Sequence, residues 1–160
     1  MKLMRQNGVT LIELLVVLTI LSILAFVVVP LSWVSYKRSK ETELRQNLRE
    51  IRSAIDEYKK DWDGGKMKRN LGESGYPPNL KILVEGVDDV TSAQSGMKIR
   101  FLRRIPRDPV NTETSLEPEN TWGLRSYQSE PDDPREGDDV YDVYSKSEDK
   151  GIDGTFYKNW

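Results

Sequence analysis

Val9–Leu31 reads VTLIELLVVLTILSILAFVVVPL, and this stretch decides the architecture. Only Thr10, Glu13, Thr19, Ser22 and Pro30 interrupt its apolar run, and Glu13 is its single charge. About 20 apolar residues suffice for a helix to cross a bilayer, so the stretch predicts a membrane-spanning helix. It is longer than the roughly 7–15 apolar residues of a secretory signal, and Ile23–Ala25 is a poor cleavage site. A carboxylate in such a helix costs about 2.5–3.5 kcal/mol at the helix centre. Glu13 therefore needs a partner or a proton. Pro30 removes one backbone hydrogen bond and predicts a point where the helix can stretch or unwind.

On the N-terminal side, residues 1–8 (MKLMRQNG) read as a short polar leader with Lys2, Arg5 and Gly8. On the C-terminal side, no Gly or Pro occurs between Leu31 and Asp63. Leu44, Leu48, Ile51, Ile55 and Tyr58 recur at spacings of three and four, which makes one apolar stripe on a helix. Glu41, Arg45, Arg49, Arg52, Glu57 and Lys60 lie off that stripe and read as its polar face. Asp63-Gly64-Gly65 ends the helix. The expected divisions are a leader at 1–8, a transmembrane helix at 9–36, an amphipathic helix at 37–62 and a globular domain at 63–160.

Beyond the helix the chain is heavily punctuated. Tyr76-Pro77-Pro78-Asn79 is a turn into the short apolar segment Leu80–Val84, and Val87–Gly96 reads as a loop. Trp122–Tyr127 and Val140–Ser145 have strand composition and flank the Pro- and acid-rich loop Ser129–Asp139. The stripe Leu44–Tyr58 is expected to pack under the small antiparallel sheet these strands would form. The fold class is α+β.

The chain has 160 residues, no Cys and no His. That excludes disulfides, thiolate or imidazole metal sites and catalysis by Cys/His or Ser/His/Asp. Only oxygen ligands remain, which favour calcium or magnesium. No P-loop and no convergent set of catalytic groups is visible, so the chain reads as a non-enzyme. The net charge of −2 hides a gradient. Residues 37–60 are basic, whereas 128–160 are strongly acidic, which argues against a nucleic-acid partner. Lys37, Arg38 and Lys40 read as a membrane-surface patch, and Arg103, Arg104 and Arg107 as contacts for acidic partners.

Gly8-Val9-Thr10-Leu11-Ile12-Glu13-Leu14-Leu15 closely resembles the prepilin-type cleavage and methylation motif of type IV pilins and type II secretion pseudopilins. The resemblance implies that prepilin peptidase cuts between Gly8 and Val9 and that Val9 becomes the methylated N-terminus, where the family more often has Phe. Glu13 matches the family's acidic residue near the mature N-terminus, and Pro30 its common proline. The new α-amino group, with a reference pKa of about 7.7–8.0, would neutralise Glu13 of a neighbouring subunit and set an axial register. The region around Thr19–Val34 would pack against other subunits.

Phe101-Leu102-Arg103-Arg104-Ile105-Pro106-Arg107-Asp108-Pro109 resembles a segment of the major type II secretion pseudopilins. So does the ending Tyr141-Asp142-Val143-Tyr144-Ser145, Asp149 and Asn159-Trp160. The stretch Val110–Asp139 departs from the family as an insert, with Trp122-Gly123 as its displaced remnant of a family motif. The resemblance implies a calcium ion near the C-terminus, held by the Lys146 carbonyl, Asp149 and Asp153. It also implies a homo-oligomeric filament, an inner-membrane assembly platform and minor pseudopilins as partners. The localisation it implies is a single pass through the bacterial inner membrane with the C-terminal domain in the periplasm. The alternatives are a type IV pilin, a minor pseudopilin of a fibre or DNA-uptake system, or a membrane-anchored periplasmic domain. The missing Cys pair argues against the pilin, and the charged Glu13 against a minor pseudopilin.

Overall fold

The computed structural model describes residues 9–70, 72–92 and 96–160, and for 27–30 the backbone only. Helix α1 runs Leu11–Asp63 and α2 runs Lys81–Glu85. Strands β1 (Val87–Asp88) and β2 (Lys98–Ile99) pair antiparallel, as do β3 (Trp122–Arg125) and β4 (Asp142–Ser145). Short 3-10 turns occupy Pro118–Thr121 and Tyr157–Asn159. The architecture is a long N-terminal helix with small antiparallel sheets, as expected of the α+β class. Packing divides the chain into two units, Met1–Arg38 and Ser39–Trp160.

In the second unit the predicted stripe is the core. Leu44, Leu48, Ile51, Ile55 and Tyr58 are all buried, and they cluster with Leu83, Leu102, Trp122, Val140, Val143 and Tyr157. Each fully buried Leu or Ile contributes about 1.5–3 kcal/mol. This burial, more than helix propensity, holds the C-terminal half of α1 in place. The helix stops where the sequence indicates. Gly65 takes φ +74°, a left-handed conformation that favours glycine. The Gly64 and Lys66 amides donate to the Lys60 and Asp61 carbonyls. Arg69 donates to the Trp62 and Asp63 carbonyls and satisfies two groups that α1 leaves open.

The β3–β4 ladder sets Trp122 opposite Ser145, Gly123 opposite Tyr144, Leu124 opposite Val143 and Arg125 opposite Asp142. A Cβ at position 123 would stand 2.3 Å from the Tyr144 ring. Glycine is therefore required there, and the ring covers the exposed backbone in its place. Arg125 also approaches Asp142, with Nη2 3.6 Å from the carboxylate.

One expectation needs correction. Val87–Gly96 is not all loop, because Val87–Asp88 pairs with Lys98–Ile99. A two-residue ladder is too short to leave a period in the sequence. The stretch Val110–Asp139 forms two loops on either side of β3, and Trp122 within it is 1% exposed. Its partner β4 lies beyond the second loop.

Candidate functional site

Thr10 opens α1. Its Oγ1 accepts from the Glu13 amide at 3.3 Å, and its carbonyl accepts from the Leu14 amide at 3.1 Å. Thr10 is thus the N-cap and Glu13 the third helical residue, the Thr-x-x-Glu pattern of a capping box. A negative charge there lies in the first turn, where the helix dipole favours it. Thr10 was not singled out from the sequence, although this spacing is its signal. Val9 is well exposed, ahead of the cap. Gly8 lies outside the described residues.

From Val9 to Phe26 every residue is exposed in its own chain. Leu11 is 77% and Phe26 83% exposed, within a segment whose mean hydropathy reaches 3.0. A monomeric soluble protein rarely leaves so much apolar surface uncovered. The segment is built to be covered by lipid or by other chains. Its hydroxyls are already satisfied locally, since Thr19 donates to the Leu15 carbonyl at 2.7 Å and Ser22 to the Leu18 carbonyl at 2.8 Å. Glu13 is the segment's one charged side chain, and a carboxylate in an apolar environment calls for a partner. Pro30 continues the helical backbone, and its side chain lies outside the described residues.

In the second unit the family-like Arg107-Asp108-Pro109 segment is a buried clasp. Asp108 is fully buried. Its carboxylate accepts from the Ser145 hydroxyl at 2.6 Å and from the Val110 amide at 2.9 Å. Its own amide donates to Thr121 Oγ1. Burial pushes the Asp108 carboxyl up, and these hydrogen bonds only partly offset that. Arg107 donates to the Leu116 and Glu113 carbonyls. It therefore organises the first loop and is not a free contact for a partner, whereas Arg103 and Arg104 are exposed. Asp139 closes the second loop by accepting from Ser126 Oγ at 2.8 Å and from the Tyr127 amide at 2.9 Å. Burial pushes the Asp139 carboxyl up, but hydrogen bonds from Ser74, Tyr127 and Ser126 together hold it below its ordinary value.

Of the three residues expected to hold calcium, Asp153 has its carboxylate engaged in other contacts. Asp153 Oδ1 accepts from the Thr155 amide and hydroxyl, and Oδ2 lies 3.2 Å from Arg45 Nη2. The Thr155 hydrogen bonds, then the Arg45 charge, hold its carboxyl below the ordinary range. Lys146 reaches the Asn120 carbonyl with its Nζ. The Asp149 carbonyl accepts from the Tyr157 amide. Among the described residues, no group of three or more acidic side chains stands ready for a metal ion. Calcium prefers six to eight oxygens, and the Asp153 carboxylate is already committed on both oxygens. The arrangement does not fit the ion that the resemblance implies.

The polar face of α1 divides into two sets of residues. Arg49, Glu57 and Lys60 are exposed as expected. Glu41, Arg45 and Arg52 instead turn to the C-terminal segment. Arg52 donates to Asp142 at 2.7 Å and to the Val143 and Trp160 carbonyls at 2.9 and 2.8 Å. These partners lie about 90 or more residues away along the chain, beyond any local pattern.

An exposed apolar helix opening on a capped glutamate, joined in sequence to a helix packed on a small sheet, defines a membrane-anchored subunit of pilin architecture. Residues 3–29 match the family described as the prokaryotic N-terminal methylation motif. The chain is 30% identical over 115 residues to the type II secretion system core protein G of Klebsiella pneumoniae, covering 70% of this chain and 74% of that protein. It is 31% identical over 105 residues to the Pseudomonas aeruginosa core protein G, covering 66% and 68%. The Aeromonas hydrophila core protein G is 30% identical over 108 residues, covering 66% and 68%. No solved structure matches significantly. The chain belongs to the type II secretion system core protein G family, the major pseudopilins.

Proposed function

We propose that this chain is the structural subunit of a type II secretion pseudopilus. Prepilin peptidase cuts it between Gly8 and Val9 and the new N-terminus is methylated. The subunit waits in the inner membrane, anchored by the apolar half of α1, with the domain Ser39–Trp160 on the periplasmic side. It then leaves the bilayer and adds to a helical filament through an inner-membrane assembly platform, with minor pseudopilins as further partners. Its work is mechanical, pushing folded substrates outward, and the energy comes from a separate ATPase.

One observation carries this reading. The segment from Val9 to Phe26 is uncovered in its own chain, and its one charged side chain is Glu13 at the helix start. In a filament, neighbouring copies replace lipid around the apolar side chains. The α-amino group freed on Val9 of one copy then meets Glu13 of the next. Pairing removes the cost of a lone carboxylate in an apolar environment. Because the amine and Glu13 lie at fixed places on the chain, their pairing fixes the rise between subunits.

Mass spectrometry of the chain purified from membranes tests this. The expected N-terminal peptide begins with methylated Val9. A peptide that still begins at Met1 would reduce the chain to a simple membrane anchor.

A further inference from the structure

The loop 149–160 is held to α1 by contacts that do the work expected of a metal ion. Glu41 Oε1 accepts from the Ile152 amide at 2.7 Å and from the Tyr157 hydroxyl at 3.0 Å. One turn on, Arg45 pairs with Asp153 at 3.2 Å and lies 3.8 Å from the Trp160 ring centroid. Arg52, further along the same helix, donates to the Trp160 carbonyl.

The loop is also closed on itself. Trp160 Nε1 donates to Thr155 Oγ1 at 2.6 Å, and the Gly151 amide donates to the Thr155 carbonyl at 2.7 Å. A Cβ at position 151 would stand 2.7 Å from the Trp160 ring and 2.9 Å from Asp153. The backbone, the indole and the carboxylate thus meet at close quarters.

We infer that Glu41 and Arg45 fix the C-terminal loop of this pseudopilin in place of calcium, so that the loop is ordered without a metal. The chemistry is substitution of one cation for another. A calcium ion bound by Asp153 would sit next to the Arg45 guanidinium, where like charges repel. It would also share the carboxylate with the two Thr155 donors that Oδ1 already accepts. Arg45 supplies positive charge from the helix itself, and its planar group stacks on an aromatic ring as a calcium ion does not. Glu41 takes up an amide and a hydroxyl of the loop. Residues i and i+4 share a helix face, so one turn of α1 presents both the anion and the cation. The inference concerns how the domain is stabilised and stands whether or not filaments form.

The test uses the full-length chain in detergent micelles, in EDTA and in millimolar calcium. Thermal melting is followed alongside tryptic cutting at Lys150 and Lys158, read by mass spectrometry. The wild type should melt at the same temperature and be cut at the same rate in both buffers. Arg45→Met and Glu41→Ala should be cut several-fold faster at Lys150 and Lys158 and at the wild-type rate at Lys68, and calcium should not protect them. A rise in wild-type melting temperature with calcium, or calcium protection of the wild-type loop, would overturn the inference. So would wild-type cutting rates in both variants. If a variant is cut faster everywhere it has unfolded, and the wild-type comparison between buffers then decides.

Discussion

The two halves of α1 use the same apolar residues for opposite ends. Leu11, Ile12, Leu14 and Leu15 are all more than half exposed, whereas Leu44, Leu48, Ile51 and Ile55 are buried to within 2%. Composition explains the difference. The N-terminal half is apolar all round, so no single face can be matched to a partner in the same chain. The C-terminal half carries one stripe, and a small domain covers it. The first half is stable only when lipid or other copies cover it. The second half brings its own cover.

Glu13→Leu should break the first half of the comparison with the largest effect. Insertion should persist, because the segment becomes more apolar, while filament yield falls to background in a sheared-surface preparation. Normal filament yield would show that the carboxylate has no part in assembly.

Truncations sharpen the contrast. Ile51→Ala should destabilise the domain by about 2–5 kcal/mol, the range for a large side chain removed from a packed core. Leu15→Ala should leave denaturant unfolding of the domain unchanged, because Leu15 belongs to the other unit and is not a member of that core. Equal losses in the two variants would contradict the division into units.

Asp108→Ala should come next. It leaves the buried Ser145 hydroxyl and the Val110 amide without their acceptor, at about 1–3 kcal/mol for each unsatisfied group. Asp108→Asn keeps the shape and one carbonyl acceptor, so chemical denaturation should show a much smaller loss for it.

A pH series gives the smallest effects. Burial, then the hydrogen bond to Glu41, push the Tyr157 hydroxyl up to about 12 from an ordinary 10.0. A raised folded value means that this contribution is fully present below pH 10 and is lost as pH rises through about 12. Tyr157→Phe should flatten that alkaline loss. Asp139 has the opposite sign. Its lowered value stabilises above the ordinary carboxylate value of 3.8 and is lost as pH falls below it. Asp139→Asn should weaken the acid limb of a melting-temperature profile.

These variants also mark what was legible in the sequence. The span, Glu13, the stripe Leu44–Tyr58 and the stop at Gly64-Gly65 all follow from local composition and helical spacing. The β3–β4 pair was legible as two strand-like segments, although its ends were set too wide. Thr10 carried a readable signal in its spacing to Glu13. The clasp of Asp108 was visible only as part of a family-like segment, and nothing in that segment says that its carboxylate is buried against Ser145.

The sequence by itself determined that this chain has an apolar helix needing outside cover, with a charge and a motif that make the helix an assembly element. Those features depend on residues three, four or twenty positions apart, and helix geometry links such residues directly. Only the tertiary structure decided what Glu41, Arg45 and Asp153 do. Arg45 and Asp153 are separated by 108 positions, and each alone reads as a solvated charge or a metal ligand. Packing of the C-terminal loop onto α1 makes them partners. The Asp153 carboxylate thereby meets a guanidinium from the helix and a hydroxyl from its own loop.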